Sequence, residues 1–446
     1  MITYSYRKIT DIAWPLILSM VIQTLIGTTD TIFLGHVGEI ELGACAIGGL
    51  IYLVIFMFEK AFITGAQILM SQYNGCGQKE FKNIGKVFWV TNNIVMLVSI
   101  IAIALVALTS QSILSIMVQS EVLQITILVY LTPRCWGLLF SGLKSMLEGF
   151  LVAINTTRSI AIASMILLFS NIIFDWWFIF GGMGIEPMGL KGAAWASVVA
   201  EIIATIYLIV YMISKIDWRK FGFDKFTLTD TDIFKQIISK ANYLIILNLA
   251  SWGSWLYFYV EVEKLGVEAL AISNVIKSLY SILCIAANAL GIATISITGN
   301  LIGAKKDEEI LPTLVRIIKF GILPFYGFFL ILAIFPEQIL GIFTNDLNLI
   351  KDATKPLYVM LIANIIVLPE YVYFYALYGT NKIKIAFIVE IAGIILYAGT
   401  VRTVVGMDNA EVAWCYYSDL LYNIISLAVP YWYMKSGKWK YPKKHR

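Results

Sequence analysis

The chain alternates long apolar runs with short polar segments. Each run covers about 20–30 residues, the length that a helix needs to cross a hydrocarbon core about 30 Å thick. None shows the alternation of apolar and polar positions over about ten residues that is typical of membrane β-barrel strands. The pattern therefore predicts an all-α integral membrane protein with twelve transmembrane helices, at residues 13–36, 44–72, 87–108, 122–154, 159–181, 190–214, 241–264, 268–302, 312–335, 348–379, 383–404 and 412–434.

The composition agrees with a membrane protein. Of the 446 residues, 59% are apolar and only 14% are charged, whereas about 25% of the residues of a soluble protein are charged. The five cysteines are scattered without the spacing of a metal site, and the two histidines are His36 and His445. A membrane-embedded enzyme would find no HExxH or GxSxG motif and no clustered catalytic set here. We therefore expect a protein that is not an enzyme and that has no cofactor.

The positive charges lie mostly on one side of the membrane. When the loops are assigned alternately to the two sides, 24 of the 33 lysines and arginines fall on the side of the N-terminus and five on the other. Positive residues favour the cytoplasmic side, and an odd number of spans would scramble this separation. We expect a multi-pass protein of the plasma (inner) membrane with both termini cytoplasmic. The net charge of +4 then reflects orientation and does not indicate a nucleic-acid partner.

A polar segment near the middle divides the chain into two similar halves. Residues 215–240 are expected to form a cytoplasmic linker between an N-terminal lobe, 1–214, and a C-terminal lobe, 241–446. At a shift of 228 residues, "YNGCGQKE" at 73–80 aligns with "LIGAKKDE" at 301–308. Because six helices per half is an even number, the halves would be parallel repeats related by a pseudo-two-fold axis along the membrane normal. Such proteins commonly bind substrate between the lobes.

Three segments carry a resemblance to a known family. "TTDTIFLGHVG" in the first span, "QYNGCGQKE" after the second and "SNIIFDWWFIFG" in the fifth resemble the multidrug and toxic compound extrusion (MATE) family. The loop "GMGIEPMGLKGAAWAS" departs from the family pattern by an insertion. The resemblance implies a secondary antiporter that exports small organic, often cationic, compounds while H⁺ or Na⁺ enters. The expected partners are that substrate, the coupling ion and the lipid bilayer, and we expect a monomer.

The same superfamily contains flippases for lipid-linked saccharides or polyprenyl substrates, and this function is the alternative. A flippase would need a basic cavity with a lateral opening. The basic residues available within the spans are Lys60, Arg134, Lys144 and Lys277.

Acids inside the first six spans are candidates for ion binding. An acid at mid-membrane costs roughly 2.5–3.5 kcal/mol on insertion scales, so it usually serves a function. Asp30 has no basic neighbour in sequence, and Asp175 shares a helix face with Asn171, four residues earlier. Their oxygens suit a small cation or a shared proton, and the resemblance implies that these three residues form the cation site of the first lobe. A role of Asp175 as an interfacial anchor is the alternative.

Two further positions relate to this site. Glu148 in the fourth span is near a polar position of the family's site, but a local ion pair with Lys144 is equally compatible with the sequence. Pro15 precedes Asp30 by fifteen residues, about four helical turns. Proline permits a kink, which in some family members accompanies protonation of the acid. Here it is either such a hinge or a static kink. We expect no metal beyond a possible Na⁺ at Asp30, Asn171 and Asp175.

The second half departs from the sodium-coupled branch of the family, because its seventh span lacks an early acid. Glu370 in the tenth span is a candidate for substrate or second-lobe binding, or an interfacial acid after a proline. Glu59 and Lys277 are candidates too, and a pair between them across the lobes is one hypothesis. Trp255 and Tyr257 could line a cavity with rings that attract organic cations, although interfacial belts are the commoner use of such rings.

Overall fold

Helices make up nearly all of the chain. The computed structural model describes residues 4–182 and 184–440, so His445 lies outside the described part. The first half contains α1 (Tyr6–Gly35), α2 (Glu39–Cys76), α3 (Phe81–Met117), α4 (Glu121–Ala153), α5 (Arg158–Phe180) and α6 (Gly189–Lys215). The second half contains α7 (Thr231–Glu263), α8 (Val267–Gly303), α9 (Ile310–Ile334), α10 (Pro336–Leu340), α11 (Leu347–Ala363), α12 (Val367–Gly379), α13 (Ile383–Val405), α14 (Val412–Cys415) and α15 (Tyr417–Lys435).

The all-α membrane fold is confirmed. Ten helices of the described residues are long and apolar enough to cross a membrane, and α11 with α12 makes an eleventh, bent span. The last predicted run corresponds to α14 and α15, which continue one another across Tyr416. Each of the twelve predicted runs thus corresponds to one helix or to a pair of helices separated by a short break.

The tenth span is broken at residues 364–366, where the sequence pattern predicted one continuous helix. Pro369 lies in the first turn of α12, where it supplies no N–H group and its ring would clash with the helical carbonyl of residue 365. The carbonyls at the break have other donors: the Tyr326 hydroxyl donates to the Ile365 oxygen at 2.6 Å, and the Asn423 amide donates to the Ala363 oxygen at 3.0 Å. A break within the membrane is tolerated because these backbone groups remain satisfied.

The chain forms two compact units. One comprises Trp14–Asn242, and the other comprises the residues up to Ala13 with those from Tyr243 onward. We call them the first and the second lobe. Helix ends recur between them: α1 and α7 end at Gly35 and Glu263, and α2 and α8 begin at Glu39 and Val267. Both pairs are 228 residues apart, the same shift at which the loops align.

The connection between the halves is shorter than predicted. Residues 231–240 belong to α7 rather than to a linker, because the Asp230 carboxylate accepts the Ile233 N–H at 3.1 Å and so caps the helix. Residues 216–230, which we call the linker, lie against the first lobe. The Gly85 N–H donates to the Phe221 oxygen at 2.8 Å, and the Phe223 ring is centred 4.9 Å from that of Phe150.

Replacement of Gly85 tests this contact. A Cβ atom at this position would lie 2.6 Å from the Phe221 oxygen and the Gly222 carbonyl, so Gly85→Val should displace the linker. We expect tryptic cleavage of the linker, at Arg219, Lys220 and Lys225, to become several-fold faster in the purified protein. Gly49→Ala is the matched control, because its Cβ meets nothing within 4 Å. An unchanged cleavage rate in Gly85→Val would show that the linker is not held by this approach.

Candidate functional site

The fifth helix carries two buried polar side chains in its C-terminal half. Asn171 and Asp175 are 1% and 0% exposed and lie one turn apart on the same face of α5. Neither oxygen of Asp175 and neither polar atom of the Asn171 amide has a hydrogen-bond partner of normal geometry. Buried polar groups nearly always have partners, so these atoms are candidates for ligand binding.

Asp30 of α1 completes this group. Its side chain interacts with both Asp175 and Asn171, and its Oδ1 atom is buried without a partner. The structure therefore brings together the three residues that the sequence singled out, within one lobe. We call Asp30, Asn171 and Asp175 the acid triad. It offers carboxylate and amide oxygens, which suit hard cations, and two carboxyl groups that can share a proton.

The register between α1 and α5 follows from a contact that lies about three helical turns N-terminal to the triad on both helices. The Ser19 and Ser164 hydroxyls are 2.6 Å apart and buried. Each serine precedes its aspartate by eleven residues, about three turns of helix, so two parallel helices joined at the serines also meet at Asp30 and Asp175. Between these levels the small side chains of Ala200 and Ala204 pack with the apolar residues Leu167 and Ile26.

A charged pair that sequence reasoning missed lies beside the triad. Arg134 of α4 donates to both carboxylate oxygens of Glu201 of α6, at 2.8 and 3.2 Å. Its guanidinium lies 3.8 Å from the centre of the Tyr52 ring, and its charge acts on Asp30. A signal was present, since Arg134 and Glu201 are both ionisable residues within apolar runs. Their pairing depends on the packing of α4 against α6, which the sequence does not show.

Glu148 forms the local ion pair that the sequence offered as the alternative. Its carboxylate accepts from Lys144 Nζ at 3.0 Å, one turn away on α4. Residues four apart on a helix are neighbours, so the lysine provides the nearest counter-charge. A contribution of Glu148 to the cation site stays a prediction.

The predicted hinge residue lies in a continuous helix. α1 runs uninterrupted from Tyr6 to Gly35 with Pro15 inside it. The division between the two lobes falls between Ala13 and Trp14 of the same helix, so Pro15 lies directly after it.

The second lobe encloses a polar cavity of about 530 Å³. Three acids line it: Glu370 of α12, Glu390 of α13 and Asp419 of α15. Glu390 is fully hydrogen-bonded, to Ser251 at 2.7 Å and to Tyr422 at 2.8 Å. Glu370 is 4% exposed and its Oε2 atom has no partner. The remaining lining is rich in aromatic rings, namely those of Trp252, Trp255, Tyr280, Tyr371, Phe374, Tyr375, Tyr378, Tyr397 and Tyr422.

Two of the sequence-predicted cavity residues are elsewhere. Tyr257 does not line the cavity: its hydroxyl interacts with Glu261 and with the exposed Arg402, in the manner of an interfacial ring. Glu59 is fully buried in the first lobe, where it accepts from Ser99 at 2.7 Å. Among the second-lobe candidates, Trp255 and Glu370 do line the cavity.

Lys277 does not pair with Glu59 across the lobes. Its ammonium lies 3.4 Å from Asp419 Oδ1 and donates to the Tyr397 hydroxyl at 3.2 Å. The prediction of a Glu59–Lys277 pair is wrong because each residue has a partner within its own lobe, which satisfies its buried charge.

Relatives of this chain align with it over about three quarters of its length. It is 25% identical over 346 residues to the probable multidrug resistance protein NorM of Synechocystis sp., covering 77% of this chain and 74% of that protein. It is 21% identical over 365 residues to the multidrug resistance protein MdtK of Proteus mirabilis, covering 78% and 76%.

Solved structures show the same architecture. An outward-facing multidrug resistance MATE family transporter of the MOP superfamily superimposes with a TM-score of 0.88 at 14% identity, covering 98% of this chain and 97% of that one. A MOP superfamily transporter from Pyrococcus furiosus gives a TM-score of 0.87 at 15% identity, covering 97% and 95%. These neighbours share the fold.

The family assignment rests on both lobes. The MatE family model matches residues 15–177, which include the whole acid triad, and residues 244–399, which include Glu370 and Lys277. These two segments make up most of the chain, which therefore belongs to the MATE (multidrug and toxic compound extrusion) family of transporters.

Proposed function

We propose that this protein is a secondary active antiporter that exports organic, often cationic, compounds in exchange for H⁺ or Na⁺ by alternating access. The observation that carries the proposal is the acid triad, two carboxyl groups and an amide with buried atoms that lack partners. The multidrug resistance proteins among its relatives support export of organic compounds.

The triad supports a binding site for the coupling ion. Two neighbouring buried carboxylates cannot both remain charged without compensation, so a proton or a cation has to bind between Asp30 and Asp175. Removal of that ion leaves repulsion that the protein can relieve by changing conformation. Ion binding and conformation are then linked, as antiport requires.

Pro15 is proposed as the hinge of this change. It lies in the helix that carries Asp30, close to the division between the lobes. A proline leaves one helical carbonyl without its backbone donor, so the helix can bend there at lower cost than elsewhere.

The second-lobe cavity is proposed as the substrate site. Its volume of about 530 Å³ lies within the range of roughly 300–1,000 Å³ of small-molecule pockets. Rings and a buried carboxylate attract an organic cation, and Glu370 has an oxygen free to meet it. The lining is acidic rather than basic, which favours an organic cation over the anionic substrate of a flippase.

The distribution of lysines and arginines supports a proposal for orientation and environment. We propose that both termini are cytoplasmic, that the protein resides in the plasma (inner) membrane, and that it acts as a monomer, since each candidate site is complete within one lobe.

Neutralising the triad tests ion coupling. We expect Asp30→Asn and Asp175→Asn each to reduce gradient-driven efflux from proteoliposomes by about tenfold or more, the effect of losing an interaction of about 1.4 kcal/mol. Efflux is measured with Na⁺ and pH gradients imposed separately, and the gradient whose effect disappears identifies the ion. Glu186→Gln, an exposed acid of the same lobe, is the control. Wild-type efflux in both triad variants would contradict the proposal.

Removing the charge of Glu370 tests the substrate site. Glu370→Gln should weaken binding of an organic cation such as tetraphenylphosphonium about tenfold, the effect of one desolvated charge contact, and should leave a neutral compound of similar size unaffected. Equilibrium binding to purified protein measures both. Asp352→Asn, an exposed acid of the same lobe, should change neither. Equal weakening of both compounds would assign Glu370 to packing instead of cation recognition.

A further inference from the structure

The ammonium of Lys277 sits inside a cage of aromatic rings. Lys277 is 2% exposed, and its Nζ atom lies 4.4–5.6 Å from the centres of five rings, those of Trp255, Phe258, Tyr280, Tyr397 and Tyr416. Aromatic cages of this kind are the usual means by which proteins recognise ammonium groups of ligands. Here the cage holds a cation of the protein's own chain.

The cage and the substrate cavity share a wall. Trp255, Tyr280 and Tyr397 contribute to both, and so does Asp419, whose Oδ1 atom is the ionic partner of Lys277. The lysine therefore occupies a place beside the cavity that the positive group of a ligand would otherwise favour.

Lys277 also changes the charge of the cavity. Asp419 keeps one buried oxygen, Oδ2, without a partner, as Glu370 does with Oε2. The cavity thus has two acids with free oxygens, and one of them is already balanced by the lysine. Whatever the protonation of the other acids, a neutral side chain at position 277 would leave room for one more positive charge.

We propose that Lys277 is a specificity-determining residue: its tethered ammonium fills the cage and balances Asp419, so that the cavity selects compounds with one positive charge over compounds of the same length with two. This inference rests on the proposed substrate cavity and names the substrate class that it takes. A lysine with a purely structural role would affect stability, but it would not shift the preference between two ligands in a direction set by charge.

The test compares two ligands that differ by one charge. Hexyltrimethylammonium and 1,6-bis(trimethylammonio)hexane are titrated against the purified full-length protein in lipid nanodiscs, and the ratio of their dissociation constants is recorded. Wild type should prefer the monocation. Lys277→Met should shift the ratio about tenfold or more toward the dication, the order expected for one close buried charge.

Two further variants separate charge from structure. Asp419→Asn leaves the lysine unbalanced and should shift the ratio in the opposite direction, which keeps the test decisive if Lys277→Met fails to fold. The double variant Lys277→Met/Asp419→Asn removes both charges and should return the ratio toward that of wild type. Lys264→Met is the matched control, because it breaks another ion pair of the same lobe, with Glu261, in which the lysine side chain is 52% exposed. It should leave the ratio unchanged.

The outcomes distinguish this inference from the proposed function. Binding of both ligands with the same ratio in wild type, Lys277→Met and Asp419→Asn would overturn the role of Lys277 and leave the cavity as the substrate site. A failure of wild type and all variants to bind either ligand would overturn the substrate cavity itself, and with it this inference.

Discussion

The structure depends on one constraint of the lipid environment: a charge buried among membrane helices must be balanced by groups of the protein itself. Most of the buried charges obey it through contacts within one lobe. Arg134 is held by Glu201, Lys277 by Asp419, and Glu390 by two hydroxyl groups. Against this background Asp175 stands out among the described residues, because neither of its buried carboxyl oxygens has a hydrogen-bond partner of normal geometry. This departure from the rule, and not the presence of acids as such, is why we propose the ion site there.

The sequence predicts the helices well because hydropathy over a span is a property of a continuous segment. The interruptions are harder to predict, because they depend on single side chains. Pro369 breaks the tenth span only where Tyr326 and Asn423, from other helices, supply the missing donors. Asp230 starts α7 ten residues before the apolar run does, because one carboxylate caps the helix.

In the candidate site, too, some residues could be predicted from the sequence and others could not. Asp30 and Asp175 were predictable from isolated acids in apolar runs, and Asn171 from its spacing on one helix face. The partners of Arg134 and Lys277 could not be predicted, because these ion pairs connect helices that are distant in sequence. Lys144 is the opposite case. Its partner Glu148 lies four residues away, so the sequence alone indicated a local ion pair, and the structure shows that pair.

The two halves have a common plan but different chemistry at equivalent positions. At the shift of 228 residues that aligns their helix ends, Asp30 corresponds to Phe258, the ring whose centre lies nearest to the ammonium of Lys277, at 4.4 Å. One copy of the position carries a carboxylate of the acid triad, and the other carries a ring that packs against a cation already attached to the chain. A duplicated carboxylate would attract small inorganic ions to both lobes. The ring and its tethered lysine reduce that attraction in the second lobe and leave an aromatic surface there. In the function that we propose, this difference would place the ion and the organic substrate at separate sites, as coupling between two ligands requires.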